Sequence, residues 1–310
     1  MSFSSVHKSL FFIGAIASLA IPALFSQDIQ AQTDTQKITI TFDGRVGDEP
    51  FSCGETYSGL SSSETGVTPT DFRFYVSDVA LIDAQGNPVP VELEQDDKWQ
   101  YQNVALLDFE DKTGACANGT VETRKIVTGT VPQGDYQGLQ FTLGVPSQLN
   151  HEDAAIAPSP LNLTSMWWSW QWGYKFLRVD WENGATAMNK KQMNHGEMSH
   201  GETNQNVGSN STFLIHLGST GCQEIGSQSY ECSNPNRSDI VLENFDPESN
   251  VVVADLANLL SQTDLASNQP DTATGCMSSP EDMDCMPIFN NLGLSFNDKT
   301  AESPTFFRVE

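Results

Sequence analysis

Hydrophobic and polar residues alternate along most of this chain with a period of two. Lys37–Gly44 (KITITFDG), Asp71–Ile82 (DFRFYVSDVALI), Val121–Val131 (VETRKIVTGTV), Tyr136–Val145 (YQGLQFTLGV), Tyr174–Trp181 (YKFLRVDW), Ser211–Gly218 (STFLIHLG) and Asp239–Phe245 (DIVLENF) all carry it. Each is rich in β-branched and aromatic residues, so each reads as a strand. Turn residues punctuate them at Gly86-Asn87-Pro88, Pro132-Gln133-Gly134 and Asn183-Gly184. Helical periodicity is scarce, with Ala254–Gln262 (ADLANLLSQ) the best case. The expected fold is all-β: an antiparallel β-sandwich or partly closed barrel with long loops and few short helices. Three stretches fall outside the strand pattern: Asn150–Ser165, Ala187–Asn210 and Gln262–Asp284. Loops of that length usually carry function or are disordered.

The first residues change the compartment. A weakly basic start, an apolar stretch from Leu10 to Leu24 and small residues around Ala31 read as a secretory signal peptide over residues 1–31. No later stretch reaches the roughly 20 apolar residues of a membrane helix. Residues 32–310 are therefore expected to be one exported, unanchored domain, periplasmic or secreted. Six cysteines in such a compartment favour disulfides. Local spacing points to Cys222 with Cys232 and Cys276 with Cys285, leaving Cys53 with Cys116, although six cysteines allow 15 pairings. The net charge of −25, from 15 basic and 40 acidic residues, argues against nucleic acid and anionic membranes. Carboxylates are too numerous for any pair to mark a glycosidase. Signatures such as GxSxG, HExxH, GxGxxG and the phosphate-binding loop do not occur, and the chain is read as a non-enzyme.

Candidate chemistry lies elsewhere. Met166–Phe176 (MWWSWQWGYKF) holds Trp167, Trp168, Trp170 and Trp172. On a continuous strand, Trp168, Trp170 and Trp172 would share one face and Trp167 the other. A core strand is the plain reading; a sugar-stacking platform and a metal or redox site are the others. Outside the signal segment the histidines are His151, His195, His200 and His216. His151 and His216 belong to separate elements and could converge on a transition metal, for which imidazole is suited. Met188, Met193 and Met198 interleave with His195 and His200 in a polar loop with no core for methionine to fill. Thioether and imidazole together form a soft donor set that selects monovalent copper, a second and weaker candidate site.

The strings DFRFYVSDVAL, GVPSQLNHED, APSPLNLTSMWWSWQWGYKFLRVD, HLGSTGC and GCMSSPEDMDC occur in an order that resembles the MbnP-like proteins, from about Lys37 to about Leu294. That family is named for a protein of methanobactin gene clusters and is similar to secreted copper proteins of methane-oxidising bacteria. The resemblance implies periplasmic copper binding at one site, held by two histidines and a tryptophan oxidised to kynurenine. It further implies that a di-haem partner, the MbnH-type protein related to cytochrome c peroxidases, performs the oxidation. Carried onto this chain, the histidines are His151 and His216, and the modified residue is Trp168 or Trp170, with Trp167 and Trp172 ranked lower. The Met/His loop is a departure from the family pattern. Two other readings stand beside it: a secreted carbohydrate-binding module using the tryptophans, and an enzyme in which copper performs redox chemistry.

Overall fold

The computed structural model describes residue 1 and residues 34–60, 66–169, 171–183, 212–226 and 229–310. The expected signal segment, Trp170 and the Met/His loop with Met188, Met193, His195, Met198 and His200 lie outside the described residues. The strands are β1 (Thr35–Val46), β2 (Val67–Asp83), β3 (Val104–Asp108), β4 (Ile126–Pro132), β5 (Tyr136–Leu143), β6 (Trp167–Ser169), β7 (Gly173–Tyr174), β8 (Leu177–Asn183), β9 (Thr212–Leu217), β10 (Thr220–Gly226), β11 (Ser229–Asn234), β12 (Ser238–Glu243), β13 (Val251–Asp255) and β14 (Phe307–Val309); β6 with β7 and β10 with β11 form separate two-stranded sheets, and the rest belong to two larger sheets. The first sheet runs β14-β13-β1-β4, ending on the short strand Glu92–Leu93. The second is centred on β2, whose N-terminal half pairs with β8 and then β9, while its C-terminal half pairs with β5 and then β12. Neither sheet closes on itself, so the sandwich form of the expectation holds and the barrel form does not. Among the described strands pairing is antiparallel except between β1 and β13, which are parallel from Thr41 opposite Val251 to Arg45 opposite Asp255.

The sheets meet through phenylalanine. Phe42 of β1 lies 6.1 Å from Phe74 of β2 and 5.7 Å from Phe141 of β5, both edge-to-face. Phe307 of β14 contacts the same two rings at 5.6 and 5.1 Å. Phe72 stacks on Phe109 at 4.8 Å. Edge-to-face pairs of this kind add to the simple burial of the rings. Burial is not one-sided in β2, where Asp71–Ser77 is buried on both faces, as is all of β3. Its even residues Phe72, Phe74 and Val76 look into the sandwich, and its odd residues Asp71, Arg73, Tyr75 and Ser77 look outward beneath loops.

Two local readings need correction. The tryptophan run is not one strand: β6 ends at Ser169, and the chain turns so that Gly173–Tyr174 pairs back onto Trp167–Ser169. Trp172 N donates to Ser169 O at 3.1 Å, and Gly173 takes φ +76°, a conformation that favours glycine. The predicted helix over Ala254–Gln262 shrinks to Leu256–Leu259, because β13 carries strand pairing through Asp255. The Asp255 side chain then caps the helix by accepting from the amides of Ala257 and Asn258. A second helix, Cys285–Asn291, escaped the pattern. It is short and holds Pro287 in its first turn, where a missing N–H costs no hydrogen bond. All three expected disulfides form: Cys53–Cys116, Cys222–Cys232 and Cys276–Cys285.

Phe74 touches both sheets through Phe42, Phe109 and Phe306 and is fully buried. Phe74→Ala is expected to destabilise the fold by about 3–5 kcal/mol. Urea unfolding with an unchanged m-value checks this; a loss below about 1 kcal/mol would mean that the interface between the sheets repacks.

Candidate metal centre

The outward face of the second sheet is a floor of charge. Register places Arg73 of β2 opposite Asp108 of β3 on one side and opposite Arg178 of β8 on the other, and Arg178 opposite His216 of β9. One step along, Asp71 faces Asp180. Like charges directly across a ladder repel, but here each is answered along the strand or on the diagonal. Arg73 forms a buried, two-pronged pair with Asp71, and its Nη1 lies 3.9 Å from Glu110. Arg178 donates to Asp180 Oδ2 from Nε at 2.8 Å and from Nη2 at 2.7 Å, and its Nε is 3.2 Å from Asp71. The sequence signal is two short strings, Asp71-Phe72-Arg73 and Arg178-Val179-Asp180, whose charged residues alternate with buried hydrophobics.

His216 ends this row. Its Nε2 lies 2.8 Å from Asp180 Oδ1. Burial works against the Asp180 carboxylate, yet hydrogen bonds and charge from His216 and Arg178 hold its pKa below the ordinary value. The ionised carboxylate accepts the Nε2 proton, which fixes the tautomer and leaves Nδ1 as the nitrogen with a lone pair. Burial, opposed by Asp180, lowers the His216 pKa and so favours the neutral ring. The backbone is pinned as well: His216 N donates to Cys276 O at 2.9 Å, while Ser278 Oγ donates to His216 O at 2.9 Å. The Cys276–Cys285 loop therefore seals the β9 edge.

The tryptophan hairpin lies over the floor and is tied to it through Ser165. Ser165 O accepts from Lys175 Nζ at 3.0 Å and from Arg178 Nη1 at 3.1 Å, and Ser165 Oγ accepts from Arg73 Nη1 at 3.0 Å. Burial, with help from the neighbouring Arg178, brings Lys175 down to about 8. Tyr75 of the floor and Tyr174 of the hairpin donate to the carbonyls of Pro160 and Leu161 at 3.0 and 2.7 Å. Trp168 ends 6.3 Å from the His216 ring, and its packing requires Gly218, where a Cβ would come within 2.6 Å of the indole. Trp168 and Trp172 meet edge-to-face at 6.5 Å and 81°, so the described tryptophans form no flat platform. Trp172 is 48% exposed. Trp167 packs against the core, with its indole N–H lacking a partner among the described residues.

Asn150 draws the pieces together. Its Oδ1 accepts from Tyr174 N at 3.0 Å, and its Nδ2 approaches Ser219 Oγ at 3.4 Å and His151 Nε2 at 3.3 Å. One buried amide thus joins the hairpin, the segment after His216 and the loop that begins at His151. The His151 ring stacks on Tyr230 at 4.5 Å, and its Nε2 is 3.5 Å from Cys232 Sγ. Of the predicted ligands, Trp168 and His216 are neighbours, and His151 joins them through Asn150. Asn150, Arg178 and the Asp180 partnership were not assigned roles from sequence. An asparagine beside a candidate histidine was the available signal for the first.

The floor has a titration signature. Burial, opposed by Arg73 and reinforced by Glu110, pushes Asp108 up to about 8. A carboxyl raised in the folded state contributes stability that is complete below the unfolded value of about 4 and is lost as pH rises through the folded value. Asp108→Asn is therefore expected to gain stability relative to the parent as pH climbs from about 4 to about 8. Chemical denaturation across that range checks it; a constant offset between the two proteins would show Asp108 ionised throughout.

A family model for MbnP matches residues 35–278. No curated protein matches the chain. Among solved structures, MbnP from Methylosinus trichosporium superposes with a TM-score of 0.72 at 28% identity, covering 89% of this chain and 98% of that one. With the family model spanning most of the chain and the fold matching, the chain belongs to the MbnP family.

Proposed function

We propose that the chain is an exported copper-binding protein with no turnover of its own, in which His151, His216 and an oxidised tryptophan hold a single copper ion. The observation that carries this reading is the Asn150 clasp, which joins the two histidine segments and the tryptophan hairpin with Trp168 6.3 Å from His216. The donor chemistry fits: neutral imidazole suits copper, and His216 offers Nδ1 with its other nitrogen committed to a carboxylate. Indole nitrogen has no lone pair to give a metal, whereas ring-opening to kynurenine leaves an aromatic amine and a ketone. Trp168 is the favoured target; Trp170, the other candidate, lies outside the described residues. When bound, copper supplies a soft centre whose oxidation state can change.

Oxidation of the indole is assigned to a di-haem, cytochrome c peroxidase-like partner of the MbnH type. Half-exposed Trp172, edge-on to Trp168, supports this by offering the partner an aromatic contact at the surface. The compartment is the periplasm or the medium. No helix among the described residues is long and apolar enough to cross a membrane.

The test is peptide mass spectrometry over Ser165–Lys175 with copper assayed on the same sample, using protein from its own host. One tryptophan converted and one copper per chain are expected, with both lost in Trp168→Phe. His216→Ala is expected to lose copper and keep the modification. Intact tryptophans with full copper would discard the oxidised ligand, and copper indifferent to both substitutions would discard the site.

A further inference from the structure

β10 and β11 form a two-stranded sheet of their own, with Cys222 directly opposite Cys232 and Glu224 opposite Tyr230. Residues two apart on a strand share a face, so Cys222, Glu224, Tyr230 and Cys232 lie on one side of the hairpin. His151 rests against that side, stacked on Tyr230 at 4.5 Å, with Nε2 3.5 Å from Cys232 Sγ. The ligand atoms of His151, Cys222 and Cys232 all fall within 4.8 Å of one another. The amide Nδ2 of Asn150 faces the same Nε2 at 3.3 Å. An amide NH2 can only donate, so Nε2 is the lone-pair nitrogen. Beside the ring opens a cavity of about 700 Å³ lined by His151, Glu152, Glu224 and Tyr230 among others.

A bridged pair of sulfurs is a poor ligand, because metals take the thiolate. We propose that a dithiol reductant opens the Cys222–Cys232 bridge and so creates a site of two thiolates and one imidazole for monovalent copper. The disulfide takes up two electrons and two protons to give two thiols, and the reductant closes to its own disulfide. Each thiol then releases its proton on binding the ion. Two sulfurs and a nitrogen form a soft set, which selects monovalent copper among the ions such residues take.

Geometry and access both favour the step. With metal–sulfur and metal–nitrogen bonds of about 2.3 and 2.0 Å, a trigonal ion needs a sulfur–nitrogen separation of about 3.7 Å and a sulfur–sulfur separation of about 4 Å. The first is nearly met by Cys232 at 3.5 Å, with Cys222 Sγ within 4.8 Å of the same imidazole. The second requires the sulfurs to part once their bond is opened, from cysteines that stand directly opposite each other with Cα atoms 3.8 Å apart. The bridge is also reachable through Cys232, which is part-exposed, whereas Cys276 and Cys285 are both fully buried. An isolated two-stranded hairpin can give way locally without disturbing the sandwich.

The inference goes beyond the copper reading above and stands without it, since it uses neither His216 nor a tryptophan. Because the two sites share His151, they compete for the ion, and reduction of the hairpin draws copper toward sulfur.

The test uses the full chain treated with a water-soluble phosphine, with alkylation and peptide mapping to show which bridges have opened. Monovalent copper is then added without oxygen and examined by X-ray absorption and competition with a chromogenic chelator. Opening of Cys222–Cys232 first is expected, followed by bound copper with two sulfur neighbours. Cys222→Ser with Cys232→Ser is expected to remove the sulfur signal, and His151→Ala to weaken reduced-state affinity at least tenfold. His216→Ala should keep sulfur-bound copper. Four results would overturn the proposal: the hairpin bridge staying closed while buried ones open, copper without sulfur neighbours, indifference to the cysteine pair, or zinc displacing the copper at equal concentration. If the disulfide-closed chain carrying a converted tryptophan binds no copper while the reduced chain does, the earlier reading fails and this one stands.

Discussion

The structure hangs on the matching of charges that β2 and β8 bury together. Asp71, Arg73, Arg178 and Asp180 lie on adjacent strands beneath the loops, with almost no access to water. Such a group is tolerated only when each charge is answered and its remaining hydrogen bonds are made; removing one partner strands the other. Burial pushes Asp108 up to about 8 against the pull of Arg73, and burial raises its neighbour Glu110 as well. A hydrophobic floor would be simpler to fold. What charge adds is direction: Arg178 has one hand on Asp180 and the other on Ser165 O, so the orientation of His216 and the height of the hairpin are set by the same guanidinium.

The loops above that floor are ordered by polar contacts more than by apolar packing. Tyr75 and Tyr174 catch the carbonyls of Pro160 and Leu161, and Asn150 catches Tyr174 N. Ser278, carried by the Cys276–Cys285 loop, bonds His216 O and Gly218 N. Each of these groups is buried, where an unanswered carbonyl or amide would cost about 1–3 kcal/mol. A loop held this way has few alternative seatings, because displacement breaks several buried hydrogen bonds at once. That is how long segments without regular structure place side chains with the precision a metal site demands.

The strands were legible because one face of each meets phenylalanine and valine while the other meets solvent or loop, and that contrast writes a period of two. The same rule failed in Met166–Phe176, where a turn at Gly173 reverses the chain before the alternation has run its course. Period alone holds no information about where a strand stops, and β-rich composition continued on both sides of the turn. The histidines stood out through scarcity. Arg73 and Arg178 did not, since their meaning lies in the register that sets Arg178 between Arg73 and His216. Asp71-Phe72-Arg73 and Arg178-Val179-Asp180 were visible as charges inside hydrophobic strands, but which strands neighbour each other is a property of topology. Disulfide pairing followed from short spacing because two of the bridges close local loops, whereas the position of Cys232 against His151 needed the fold.

His151 and His216 occupy opposite mechanical settings. His216 sits in a strand, its backbone bonded on both sides and its ring held by a carboxylate that is itself held by Arg178. His151 opens a loop and leans on Tyr230, a residue of a hairpin that pairs only with itself. A metal bound between them would meet one ligand fixed in advance and one that moves with its hairpin. Affinity for an ion is greatest when all ligands are preorganised, but exchange with a partner requires that one ligand can leave without unfolding the rest. In the proposed site the fixed histidine would set where the ion sits, and the loosely mounted one how readily it is taken up and given away.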